Sequence, residues 1–255
     1  MALLEITGLR RSFYGIAALS GVDLAVESGS ITGLIGPNGA GKTTLFNCVS
    51  GIVPPQGGRV VFDGADITGW RPDRIARRGL VRTFQIARGF PGLTVMENLL
   101  LYGPDQPGER LLPALCRLAA ARRREEELRE RARAIAARLA LDRVLDNPAS
   151  ALSGGQKKLL EIGRALMTEP KLVLLDEPIA GVNPALAEEI GAHLRRLLAD
   201  GLTFLVIEHH MDMIARLCHP VIVMAEGRTL AQGSFAEIAA RGEVQEAYMG
   251  RRWAS

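Results

Sequence analysis

Long hydrophobic runs are missing from this sequence. The longest apolar stretches, such as Leu172–Leu175 and Phe204–Ile207, fall far short of the roughly 18 residues that a membrane span needs. Cysteine is scarce: Cys48, Cys116 and Cys218 are scattered and odd in number. That argues against a metal site and fits a reducing cytosol. Charge of one sign is also lacking, since 31 Lys and Arg face 28 Asp and Glu, a net charge of +3. So small an excess gives no reason to expect a nucleic-acid partner. The opening MALLEITGLR has no charged, then apolar, then small-residue pattern, so no signal peptide is predicted. A soluble, cytoplasmic chain is expected.

What is present is a large core and an alternating chain. With 255 residues, 47% of them hydrophobic, one large domain or two small ones are expected. Apolar strand candidates ITGLIG, KLVLLDEP, TFLVIEH and VIVMAEG alternate with helical stretches. That order predicts an α/β fold with a mainly parallel sheet covered on both faces. LLEITGLRRSF, GRVVFDG and VIVMAEGRTLAQG read instead as antiparallel edge ribbons, which makes the sheet mixed. From Gly89 to Asn147 the chain reads as helical, and ARRREEELRERARAIAARL places acids and arginines at i, i+3 and i, i+4 spacing on an exposed helix. The turn cluster at Gly89–Gly92 marks a boundary. We therefore expect a core of residues 1–88 and about 158–240, a helical subdomain of about 89–157, and a tail of 241–255.

GPNGAGKTT fits the phosphate-loop pattern G-x-x-x-x-G-K-[ST] and has its required context, after a strand and before a helix. In the loop Gly36, Pro37, Asn38, Gly39, Ala40 and Gly41 the glycines let backbone N–H groups, which every residue but Pro37 has, turn inward onto phosphate oxygens. The helix beginning at Lys42, Thr43 and Thr44 adds roughly half a positive charge there. Lys42 would bridge the terminal phosphates, and the Thr43 hydroxyl would ligate Mg²⁺. In LVLLDEP an acid ends a buried strand, a costly position unless it meets a cation. Asp176 is thus a second Mg²⁺ candidate, and Glu177 is placed to take a proton from an attacking water. His209 ends another strand at the same sheet edge, where it can touch the γ-phosphate. Gln85, at the seam with the helical middle, is a third candidate to reach Mg²⁺ or water.

ALSGGQKKLLEI poses a separate question, because it begins like a second phosphate cradle but has no lysine. The order GPNGAGKTT, RTFQ, LSGGQ, LLDEP, AGVNP, IEHH answers it, since it resembles the ATP-binding subunits of ABC transporters over nearly the whole chain. The resemblance implies a RecA-like P-loop ATPase core with an inserted helical subdomain, and ATP and Mg²⁺ as ligands. It also implies that two such subunits pair head to tail. Ser153, Gly154, Gly155 and Gln156 of one then cover an ATP held by the Gly36–Thr44 loop of the other. Asp176 and Glu177 match the metal-holding acid and catalytic base, Gln85 the Q-loop and His209 the switch histidine. Phe13 matches the adenine-stacking aromatic, with Tyr14 as the alternate.

Two positions depart from the commoner pattern: His210 and Asn183 each stand where many relatives carry aspartate. The second departure puts the D-loop's usual contact across the dimer in doubt. Together with LTVMENLL, IEHHM and EAYMG, these features are similar to the longer ATPase of branched-chain amino acid importers. That similarity implies a sibling ATPase in a heterodimer (or a second copy in a homodimer), two membrane permeases and a periplasmic binding protein. It also implies a peripheral place on the cytoplasmic side of the inner membrane. ATPases of lipid or lipopolysaccharide exporters and of urea or amide importers share most of these motifs and stand as the alternatives.

Overall fold

The structure, a computed structural model, describes residues 2–83, 90–106 and 119–249. The chain divides into two compact units, residues 1–85 with 171–255 and residues 86–170. The strands belong to the first unit. They are β1 (Ala2–Phe13), β2 (Ile16–Glu27), β3 (Ile31–Ile35), β4 (Gly57–Phe62), β5 (Ala65–Asp66) and β6 (Leu80–Arg82). β7 (Leu172–Asp176), β8 (Thr203–Ile207), β9 (Val221–Ala225) and β10 (Arg228–Gly233) follow after the second unit. In chain order the helices are α1 (Lys42–Val49), α2 (Pro72–Arg77), α3 (Val95–Leu100), α4 (Ala119–Arg138) and α5 (Gly154–Met167). Then come α6 (Pro184–Ala199), α7 (Met211–Leu217), α8 (Phe235–Ala239) and α9 (Gly242–Met249).

In the first unit, β9, β3, β8, β7 and β6 lie side by side as parallel strands, and β10 adds an antiparallel edge beside β9. Every residue of β3, β7 and β8 is buried. That is why their sequences are near-continuous apolar runs with no alternation, as parallel strands covered on both faces require. The other ribbons do not join this sheet. β2, β1, β4 and β5 form a separate four-stranded antiparallel sheet, where the sequence suggested one mixed sheet with antiparallel edges. The reason lies in β1, whose Leu4, Ile6 and Leu9 are buried while Glu5 and Arg10 are exposed. A strand patterned this way needs water on one side. Its buried face meets Leu45 and Phe46 of α1 and Leu34 and Leu205 of the larger sheet in one core. Each such side chain, fully buried, contributes about 1.5–3 kcal/mol.

In the second unit α4 buries Leu128, Ala132 and Ile135, and Leu139 just past its end continues the stripe, at spacings of four, three and four that one face of a helix produces. Its other positions carry exposed pairs such as Arg129 to Glu125 at 2.8 Å. α3 begins with a capping box in which Thr94 and Glu97 satisfy each other's backbone N–H. Asn98, fully buried, donates to the carbonyls of Phe90, Leu93 and Thr94 and accepts from Arg164 Nη2 at 2.5 Å. Burial lowers the pKa of Arg164. α5 belongs wholly to this unit, so the chain returns to the first unit at Lys171, later than the crossing near residue 158 expected from sequence. The expected tail is helical as far as Met249.

Candidate functional site

The larger sheet brings several polar residues to one edge. In the parallel register Leu34 and Asp176 both pair with Ile207, so β3, β8 and β7 end level with one another. The carboxyl ends of such strands are where an open α/β sheet binds its ligands. Three loops leave from there, carrying residues 36–44, 176–183 and 208–210.

The first loop is shaped by two glycines. Gly36 has φ +150°, and a Cβ there would lie 2.1 Å from the carbonyl oxygen of Met224. Gly41, the N-cap of α1, has φ +99°, and a Cβ would lie 2.4 Å from the carbonyl oxygen of Ala18. No side chain fits at either place. Lys42 opens α1 with its stem buried and Nζ donating to the carbonyls of Gly36 (2.7 Å) and Pro37 (3.1 Å). Burial lowers its pKa, against the pull of Glu177 and Asp176. Asn38, Gly39 and Thr43 are exposed, and Pro37 and Thr44 are half-buried. The result is a ring of backbone with a cation folded onto it, at the N-terminus of an eight-residue helix.

The second loop starts at Asp176, only 4% exposed. Its Oδ2 accepts from Arg82 Nη2 at 2.8 Å, and Arg82 Nη1 donates to Asn47 Oδ1 of α1 at 2.5 Å. Glu177 stands in the left-handed region at φ +51°, held by its N–H donating to the carbonyl of Ile207 at 2.9 Å. Strained backbone of this kind gathers at functional sites. Its Oε1 lies 3.0 Å from His209 Nε2. A carboxylate and an imidazole in such contact, neither fully buried, can share the handling of a proton with water. Further along this loop Asn183 caps α6, its Oδ1 accepting from Leu186 N at 2.9 Å. His209 and His210 also line a cleft of about 520 Å³ together with Ile179 and Val182.

Phe13 ends β1 half exposed, with the Arg11 guanidinium 4.8 Å from its ring centroid, and Tyr14 beside it is fully exposed. Gln85 lies outside the described residues. In the second unit, Ser153 is the N-cap of α5 and forms a capping box with Gln156. Its hydroxyl accepts from Gln156 N at 3.2 Å, and Gln156 Oε1 accepts from Ser153 N at 3.0 Å. Ser153 and Gly154 are exposed there, and nothing stands within 4 Å of where a Gly154 Cβ would point. An open helix start with an oriented hydroxyl suits an anion.

A family profile described as ABC transporter matches residues 19–180, a span that takes in both the phosphate loop and the Ser153–Gln156 cap. The chain belongs to this family, as an ATP-binding subunit of an ABC transporter. It is 43% identical to a probable branched-chain amino acid transport ATP-binding protein LivG of Archaeoglobus fulgidus, covering 98% of this chain and 96% of the relative. The high-affinity branched-chain amino acid transport ATP-binding protein BraF of Pseudomonas aeruginosa is 39% identical, over 97% and 98% of the two chains. Among solved structures, an ATP-binding cassette of an ABC transporter in its ADP conformation superposes with a TM-score of 0.86. It is 41% identical and covers 98% of this chain and 100% of its own. The RecA-like α/β fold expected of this ABC subunit is therefore the one found.

Sequence reasoning missed two residues at this ABC site. Arg82 is one, although an arginine inside a short apolar strand needs an anion. Glu208 is the other, although it directly follows a buried strand, where an acid needs partners as Asp176 does. Among the described residues no helix is long and apolar enough to cross a membrane.

Proposed function

We propose that this ABC subunit hydrolyses ATP to drive uptake of branched-chain amino acids or a related small solute. The observation that carries the catalytic part is the Glu177 carboxylate 3.0 Å from His209 Nε2, at the sheet edge that also bears the phosphate loop. Glu177 takes the proton of the attacking water, and His209 orients that water and the carboxylate. Residues 36–44 hold the phosphates, Lys42 moving from its own loop carbonyls to phosphate oxygens. Phe13 offers its ring to adenine. The Thr43 hydroxyl and the Asp176 carboxylate form an oxygen-only donor set, which suits Mg²⁺, with Gln85 as the further ligand expected from sequence. Bound there, Mg²⁺ neutralises phosphate charge.

Ser153, Gly154, Gly155 and Gln156 serve the nucleotide of the opposite subunit, and the capped, exposed start of α5 supports that reading. The partners are a sibling ATPase, two membrane permeases and, through them, a periplasmic binding protein. The subunit sits on the cytoplasmic face of the inner membrane, its helical subdomain passing the motion on. The substrate class is supported by the names of the relatives.

The test is ATP hydrolysis by the purified chain, alone and with its sibling, followed by uptake of labelled leucine, urea and acetamide in reconstituted vesicles. Leucine uptake that needs ATP is the expected result. Uptake of urea or acetamide alone would replace the substrate class, and no hydrolysis in any combination would remove the catalytic reading.

A further inference from the structure

Glu208 lies between β8 and His209 and is only 1% exposed. A carboxylate so buried is unfavourable unless hydrogen bonds surround it. Here its two oxygens are shared between two loops. Oε1 accepts from the backbone N–H of Ile179 at 3.0 Å, two residues beyond Glu177. Oε2 accepts from the backbone N–H of His209 at 3.0 Å and lies 3.3 Å from His210 Nδ1. Pro178, between Glu177 and Ile179, has no N–H to give. Ile179 is therefore the first residue after Glu177 through which this turn can be tied by a backbone donor.

We infer that Glu208 is a positioning residue: it ties the Glu177 turn to the His209 loop and so keeps carboxylate and imidazole within reach of each other. The inference rests on the ATPase reading above. Three features of the geometry converge on it. Glu177 is held in a strained conformation, which persists only where its surroundings fix it. Its own N–H is already anchored on Ile207, so the turn is gripped at both ends, by β8 on one side and by Glu208 on the other. The Glu208 carboxylate is also acceptor-only, which is what two converging N–H donors require. Glutamine at this position would turn an NH₂ group toward one of the two N–H donors and lose that bond while keeping nearly the same volume.

The experiment compares ATP hydrolysis by the wild type, Glu208→Gln, His209→Ala and the double variant, all as full chains with their partner subunit. Glu208→Gln is expected to lower kcat about 10–100-fold, the scale of a small misplacement of a catalytic group, and to leave KM for ATP unchanged. The double variant should be little slower than His209→Ala alone, because both changes act on one pair. Losses that multiply, or a raised KM with kcat kept, would overturn the inference. Should Glu208→Gln fail to fold, or the wild type prove inactive, hydrogen exchange of the wild-type Ile179 and His209 amides decides. Strong protection of both supports the clamp, and free exchange of either overturns it. An inactive wild type with both amides protected would count against the ATPase reading and not against the clamp.

Discussion

Arg82 and Asp176 form an ion pair of 2.8 Å, with side chains 7% and 4% exposed. Removing one partner of a buried pair strands the other as an uncompensated charge, at about 3–5 kcal/mol. Arg82→Leu should therefore unfold at markedly lower urea concentration than the wild type. Arg82→Lys should fall between, since one ammonium cannot span both Asp176 and Asn47 as the guanidinium fork does. Chemical denaturation of the three proteins checks this order.

Glu177→Gln removes the proposed base and keeps the shape of the side chain. ATP binding should persist while turnover falls about 10²–10⁴-fold, the usual share of a general base. Nucleotide titration beside steady-state hydrolysis separates the two quantities, and unchanged turnover would remove Glu177 from its role.

Gly36→Ala meets the Met224 carbonyl at 2.1 Å, a backbone atom that cannot swing aside. The loop must deform, with a stability loss of about 1–3 kcal/mol for overpacking and a collapse of nucleotide affinity. Gly39→Ala is the control. It shares a positive φ, of +82°, but has nothing within 4 Å of its Cβ, so it should bear backbone strain without the clash. Thermal melts and ATP titrations of both variants test the difference.

Ser153→Arg places a long cation at an exposed helix start and removes the hydroxyl that accepts from Gln156 N. ATP binding to the isolated subunit should be spared and ATP-dependent pairing with the partner abolished. Light scattering with and without ATP reads this directly; pairing at the normal ATP concentration would end the two-chain account of the signature.

Burial pushes the Cys48 thiol up to about 11, with Arg11 opposing, and the Cys218 thiol up to about 12, with Glu208 adding to the rise. Since the thiolate is the reactive form, both should resist alkylation in the folded protein at neutral pH and label quickly in urea. Site-resolved mass spectrometry follows each one.

Much of the site was legible because its residues answer local demands. Gly36 and Gly41 permit backbone that no side chain allows, and Lys42 and Thr43 follow at fixed offsets. An acid closing the apolar run LVLL marked Asp176 without any knowledge of its neighbours. What stayed hidden depends on partners distant in sequence. Arg82 meets Asp176 only because β6 lies beside β7 with Arg82 opposite Leu174, a pairing that no spacing along the chain announces. The alternation in β1 revealed a half-exposed strand but not which sheet it joins. The apolar face of α5, from Leu159 to Met167, does not itself say which unit will bury it, so the sequence alone does not place the second crossing point.

The level ends of β3, β8 and β7 have a further consequence. Successive residues of a strand face opposite sides, so the chemistry at this edge depends on parity as well as on composition. Dropping one residue from β7 would turn over every side chain between the deletion and the end of the strand and draw Glu177 into the slot of Asp176. All the reactive groups would still be in the chain, yet the carboxylate beside Arg82 and the one beside His209 would each face away from its partner. Substitutions at this edge can be graded, but changes of length cannot, so the lengths of these strands should be as narrowly constrained as the identities of the residues that end them.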